Sequence, residues 1–214
     1  MANVVAGAWK AQWSDRSVRL AWLVAGVVAV PMVLLLPHFF AWVQARQGAY
    51  PWEPLLSRIG PADVSVPTFS ILYGTILFTV ARAWRSPLLV LRGMHAYLIM
   101  MLFRMACIFL NTLEPPPDIV PLIDPLTQRF YPGGTPFLKD LFFSGHTATM
   151  AMMVAISRGK AARAFAVLGT VAIGLLVLVQ HAHWTIDVLA APFAVVLAWR
   201  LSAYSLKVCG VAAA

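Results

Sequence analysis

Apolar residues run together along this chain in stretches long enough to cross a bilayer. The longest, Leu20 to Gln44, holds 25 residues without a Lys, Arg, Asp or Glu and follows Lys10, Arg16 and Arg19. A hydrocarbon core about 30 Å thick needs roughly 20 apolar residues per helix, so this stretch reads as a spanning helix and is too long for a signal-peptide core. Pro31 and Pro37 are expected to kink it, which membrane helices tolerate where neighbours satisfy the freed carbonyls. Five more spans follow at 64–81, 93–113, 141–157, 164–180 and 184–199, the last two joined by the short corner His181-Ala182-His183. Between spans 3 and 4, the connection 114–140 carries Pro115, Pro116, Pro117, Pro121, Pro125, Pro132, Gly133, Gly134 and Pro136, and so cannot be helical. The pattern predicts an all-α, polytopic membrane protein, a single six-helix bundle over residues 1–214 with no internal domain boundary.

Composition strengthens this reading. The chain is 61% apolar and 11% charged, far from the soluble average, and leaves no room for a soluble catalytic domain. A net charge of +8 would raise nucleic acid as a partner in a soluble chain. Here the basic residues lie between apolar stretches and are read as topology, with no nucleic-acid partner expected. Lys10, Arg16, Arg19, Arg82, Arg85, Arg92, Arg158, Lys160, Arg163, Arg200 and Lys207 fall on one side of the alternating spans. Only Arg46, Arg58, Arg129 and Lys139 fall on the other. Cytoplasmic loops carry the excess, so both termini are expected in the cytoplasm and the Pro-rich loop 114–140 outside. Glu53, Asp63, Glu114, Asp118, Asp124 and Asp140 lie on that outer side as well. Cys107 and Cys209 are too far apart in context to suggest a bridge or a metal pair.

Ionisable side chains inside spans are costly and mark functional sites by default. The charge count did not use Arg104, His146, His183 or Asp187, yet it brings all four to the outer face. His183 and Asp187 are four apart, which on a helix lets the carboxylate accept an imidazole N–H and free the other ring nitrogen. Such an imidazole is a nucleophile toward phosphorus or a general base; the same pair would also serve as a polar tie between spans 5 and 6. Ser144 reads as an N-cap before Gly145-His146-Thr147. A helix N-terminus there favours an anion, and His146 beside it is placed to protonate a leaving oxygen. Arg104 offers a phosphate-binding fork, or alternatively snorkels or pairs with Glu114 or Asp140. Together these are the parts that phosphoryl transfer needs without a metal.

Asp140-Leu-Phe-Phe-Ser-Gly-His146-Thr and His183-Trp-Thr-Ile-Asp187-Val resemble the two signature motifs of the sphingomyelin synthase-related proteins, a branch of the type 2 phosphatidic acid phosphatase superfamily. Arg104, ahead of Asn111-Thr112-Leu113, is similar to the arginine of that family's third-span motif. The resemblance covers about half the chain, 93–195. It implies a six-span ceramide phosphotransferase, with no cofactor or metal. Such an enzyme moves phosphocholine, phosphoethanolamine or a similar head group from a glycerophospholipid to ceramide or diacylglycerol on the exoplasmic side. It further implies His183 as the nucleophile that forms a phosphohistidine, Asp187 as its orienting acid and His146 as the leaving-group acid. Arg104, Ser144 and Gly145 would bind phosphate. The Lys-x6-Arg-Pro motif of ordinary lipid phosphatases is absent, and Leu176-Val177 stand where their Ser-Arg would precede the histidine, which points to the synthase branch. Lacking the long N-terminal module and tail of many eukaryotic synthases, the chain is expected to be a minimal, bacterial-type member.

Other readings of the same residues stay open. His181, His183, His146 and Asp187 supply ligand types for zinc, although no Cys or further carboxylate completes the set. Tyr131, Phe142, Phe143 and Trp184 would form a cation–π face for choline, with Asp140 as a further head-group contact, or an aromatic belt with the other tryptophans near span ends. His38 and His95 read as interfacial or paired. With water as acceptor the same site is a lipid phosphatase. A proton-coupled transporter would use the His, Asp and Arg as a relay, but no discontinuous repeat pair supports it.

Overall fold

The computed structural model describes residues 2–124 and 137–211. The described residues form seven α-helices: α1 (Ala2–Trp13), α2 (Arg16–Gln44), α3 (Ser65–Ala83), α4 (Pro87–Leu110), α5 (Gly145–Ile156), α6 (Lys160–Val179) and α7 (Thr185–Val208). A 3-10 turn at Leu56–Arg58 and one isolated bridge between Ala49 and Leu113 are the other regular features; no strand occurs among the described residues. The helix α2 runs unbroken through Pro31 and Pro37.

Helices α2, α3, α4, α6 and α7 are each long and apolar enough to cross a membrane, which makes this an integral membrane protein with five such spans. The sixth expected span, 141–157, is not among them. It contracts to α5, whose 12 residues reach about 18 Å at 1.5 Å per residue, well short of a core about 30 Å thick. At its start, Ser144 holds an extended cap conformation; at its end, Ser157 is again extended, and Gly159 turns the chain with φ +88°. The α7 helix runs past its expected end at Trp199 to Val208, carrying Arg200 and Lys207 on its last turns, where long basic stems keep their charges near an interface. α1 is helical too, a segment in which no helix was expected.

Successive helices alternate in direction, as the bonds between the ends of α2 and α4, between the start of α3 and the end of α6, and between the starts of α5 and α7 show, so the bundle has two polar ends. One gathers the end of α2, the start of α3, the ends of α4 and α6, and the starts of α5 and α7; it is called here the site end. The other, the basic end, gathers the opposite termini with α1, whose Trp9 packs 4.6 Å from Trp84. Short α5 sits at the centre. Its Ala148 and Met152 are fully buried with Met100 of α4, Ala166 of α6 and Ala191 and Ala198 of α7, and its Met150 with Phe69 and Leu72 of α3 and Ile173 and Val177 of α6. Small residues at these contacts let the helix axes approach, which is how membrane helices gain van der Waals contact without a hydrophobic driving force. The outward faces are apolar: Leu77, Leu168 and Phe193 are each at least 70% exposed. Such a surface fits lipid rather than water. Peripheral α2 buries only residues near its two ends, among them Ala21 and Val43, and leaves Val27 to Leu35 largely facing out.

Candidate active site

The corner between α6 and α7 sets the position of the first histidine. The N–H of Ala182 bonds back to the Val177 carbonyl and that of His181 to Leu178, with His181 at φ +52°. This is the Schellman closure of a helix C-terminus, here with histidine in the left-handed position that glycine usually takes. The His181 ring is anchored by a 2.8 Å contact from Nε2 to the Ile59 carbonyl. The turn delivers His183 just ahead of Trp184, the N-cap of α7, with Asp187 at the third helical position. His183 is therefore not on the helix, as the four-residue spacing suggested; the pair meets through the cap. The fully buried Asp187 carboxylate accepts from the Trp184 N–H at 3.1 Å and from His183 Nδ1 at 3.3 Å. Held this way, the ring keeps its Nδ1 proton toward Asp187 and presents Nε2.

Glu53 closes the rest of the α7 terminus from 132 residues away in sequence, accepting from the Thr185 N–H at 2.9 Å and hydroxyl at 2.8 Å. Burial raises the Glu53 carboxyl, but hydrogen bonds from Thr185, Leu55 and Leu56 outweigh it and hold the group below its ordinary value. Gln180, also fully buried, bonds the α3 start and the loop after α4 through Val64, Ser65 and Pro121.

The α5 terminus is built differently. Ser144 Oγ accepts from the Thr147 N–H at 3.3 Å and hydroxyl at 3.1 Å, and the Ser144 N–H donates to the Asp187 carbonyl at 3.0 Å, locking the starts of α5 and α7 together. No carboxylate caps this helix, so among the described residues the N–H groups of Gly145 and His146 have no acceptor. Buried Arg104 lies against that first turn. Its Nε donates to the Phe143 carbonyl at 2.9 Å and one terminal nitrogen to the Asp140 carbonyl at 3.1 Å; the other sits 2.6 Å from Asp140 Oδ1 in an ion pair. Of the roles read for Arg104 from sequence, the structure displays the pairing with Asp140. A Cβ on Gly145 would come within 3.0 Å of the guanidinium carbon, so glycine is what allows the cation so close to the helix start.

His146 and His183 face each other across one cleft, ring centroids 6.2 Å apart. Asp140, Asp124, Phe69 and Phe137 share its lining. The His146 Nδ1 is buried without a partner, and Phe69 meets the ring edge-on at 5.8 Å. Thus His146, His183, Asp187, Ser144, Gly145, Arg104 and Asp140 come together. Phe143 and Trp184 do not line the cleft: Phe143 is packed in the core, and Trp184 is buried with its indole N–H on the Glu114 carbonyl. Tyr131 lies outside the described residues. His181 spends its Nε2 on Ile59, away from the zinc set, and among the described residues no group of three potential ligands converges. Phe69, Glu53 and Gln180 were not singled out from sequence; as single polar or aromatic residues in other segments they carry no spacing signal.

Residues 139–204 match the family model described as PAP2 superfamily C-terminal. The match takes in both histidines and Asp187 and supports the type 2 phosphatidic acid phosphatase superfamily, hence phosphatase- or phosphotransferase-type chemistry on lipids. It does not single out the sphingomyelin synthase branch. No curated protein and no solved structure matches the chain.

Proposed function

We propose that this protein is a membrane lipid phosphotransferase that moves a phospho-head group from a glycerophospholipid to ceramide or diacylglycerol through a phosphohistidine on His183. The observation that carries the reading is the facing pair: His183, oriented by buried Asp187, and His146, at the uncapped start of α5, in one cleft. In the first half-reaction His183 Nε2 attacks phosphorus while the donor's oxygen leaves with a proton from His146. In the second, His146 takes the proton of the acceptor hydroxyl, whose oxygen attacks phosphorus and releases His183. The free N–H groups of Gly145 and His146, with the helix dipole and Arg104 beside them, stabilise the phosphoryl oxygens. Phe69 also lines a second, apolar recess with Val66, Tyr73 and Ile123 on the flank of α3, a lateral route for an acceptor held in lipid.

The deciding experiment incubates the purified protein with labelled phospholipid and excess ceramide or diacylglycerol. The expected product carries the label on the acceptor lipid; release of only free phospho-head group or phosphate would make hydrolysis the function. A base-stable, acid-labile adduct is expected on His183, and activity is expected to survive EDTA. Loss on EDTA with rescue by zinc would revive the metal reading. The site end is proposed to face the exoplasm: a cysteine at exposed Asp118 should react with an impermeant outside reagent and one at Lys160 should not, and the reverse pattern inverts the topology.

A further inference from the structure

A further cavity, about 190 Å³, opens at the basic end between α3, α4, α5 and α6. Arg82, Arg85 and Arg158 ring it, and none of the three ion pairs among the described residues involves them. Asp15 is the only acid at this end, and it caps α2 through the Ser17 N–H. The cavity is more than a basic rim. Thr79 and Ser157, 2% and 4% exposed, line it, and both hydroxyl oxygens are buried without a partner. Ala162 of the first turn of α6 lines it as well, and that terminus starts at Gly159 with no side-chain cap. Ser86, the N-cap of α4, also lacks a side-chain cap bond.

A buried hydroxyl without a partner is unfavourable, and a lone arginine cluster repels itself. Both defects are removed by the same occupant, an anion with several acceptor oxygens. From this we infer that the cavity is a second anion site that binds a phosphate-bearing group. The three guanidinium groups neutralise it, the start of α6 directs N–H groups toward it, and Thr79 and Ser157 donate to its oxygens. The site is separate from the cleft at His183, at the opposite end of the bundle, and does not depend on the phosphotransferase reading. A lipid head group and a free phosphate present the same chemistry here, and basic recesses between membrane helices suit the former.

Ser86→Cys supplies a local readout, because Ser86 is half-buried in the cavity wall. The variant is made in the full chain with Cys107 and Cys209 replaced by Ala, and with His183→Ala so that no probe is turned over. Its rate of maleimide alkylation is measured in phosphatidylcholine nanodiscs alone, in the same nanodiscs with inorganic phosphate, and in nanodiscs of phosphatidylcholine mixed with phosphatidic acid. Alkylation is expected to slow roughly tenfold with an anion present. The exposed pair Arg85→Gln and Arg158→Gln should together restore the phosphatidylcholine rate. Slowing by phosphatidic acid alone assigns a lipid ligand, and slowing by inorganic phosphate assigns a free anion. An unchanged rate with both anions, or slowing that the double arginine variant does not relieve, overturns the site.

Discussion

At the site end, helix termini meet carboxylates and amides: Glu53 on α7, Asp63 on α3, Gln180 between α6 and α3, and Gln44 of α2 accepting from the Leu138 and Lys139 N–H groups. At the basic end Asp15 caps α2, and the other termini meet aromatic faces and arginines. Trp9 packs on Trp84 and donates to its carbonyl, Arg92 lies 4.3 Å over Trp199, and Arg82 lies 5.6 Å over Phe78. Directional hydrogen bonds between buried groups fix positions to fractions of an ångström, whereas cation–π and interfacial contacts tolerate sliding. The chemistry sits at the end held by directional bonds. Two histidines must keep a set separation for a phosphoryl group between them, and α5 alone among the site-end N-termini is left without an acidic cap.

The largest effects test whether the site end alone carries turnover. His183→Ala and His146→Ala should each lower the rate by at least about 10²–10⁴-fold, with the unfolding midpoint in detergent unchanged. A loss of folding in step with activity would turn both histidines into structural ties. Asp187→Asn should cost less in rate, because it removes the orienting charge and not the reacting nitrogen.

Next in size is a matched pair of arginine deletions. Arg104→Met strands Asp140 and two backbone carbonyls; with Asp140 partly exposed, the cost is about 2–4 kcal/mol, at or below that of breaking a fully buried pair. Arg82→Met loses a contact with the Phe78 ring and should cost about 1 kcal/mol or less. Equal shifts in detergent unfolding would erase the distinction between the ends.

That distinction was only partly legible in the sequence. Long apolar runs located the five spans, and the alternation of basic connections brought His146, His183 and Asp187 to one end, because hydropathy and charge are local signals. The span at 141–157 reads longer than the helix it holds: Leu141 to Phe143 are apolar and continue the run, and only the tertiary bonds of Arg104 to the Asp140 and Phe143 carbonyls mark the chain there as not yet helical. The spacing of His183 and Asp187 reads as one helical turn, whereas the pair meets across the start of α7, since a capping carboxylate and a helical neighbour share the same spacing. Glu53 and Gln180 act across more than a hundred residues, and no pattern within either segment marks them.

Acid should separate the two ends by a smaller margin. The Glu53, Asp63 and Glu114 carboxyls are all held below their ordinary values, Glu114 chiefly by the Lys139 ammonium. A depressed carboxyl contributes stability that is present above its unfolded value and lost as pH falls through the folded one. The window therefore lies below the ordinary 4.5 of Glu53 and Glu114 and 3.8 of Asp63. Hydrogen exchange at the Thr185 amide should quicken there relative to its intrinsic rate, while amides of α1 and the last turn of α7 stay as they were. Equal loosening at both ends would mean that the carboxylates are not what holds the site end.

The smallest effect concerns one turn used twice. α6 and α7 both end in the same closure, the first with His181 at φ +52° and the second with Gly210 at φ +82°; the Val211 N–H returns to the Leu206 carbonyl as that of Ala182 returns to Val177. A side chain in the left-handed region costs about 1 kcal/mol, and glycine avoids it. His181 tolerates that strain because its ring bonds the Ile59 carbonyl, a contact worth about 1 kcal/mol. His181→Gly should therefore leave stability within about 1 kcal/mol of the parent, strain relief offsetting the lost bond. His181→Ala keeps the strain and loses the bond, and should cost more than His181→Gly. Gly210→Ala adds strain and sets a Cβ 3.0 Å from Ser17 Oγ, so it should destabilise with nothing gained. Because His181 stands two residues before His183, His181→Gly should also lower turnover more than it lowers stability, by freeing the corner that aims the nucleophile. If turnover in His181→Gly is unchanged, the anchor to Ile59 serves the fold alone and the corner needs no help to place His183.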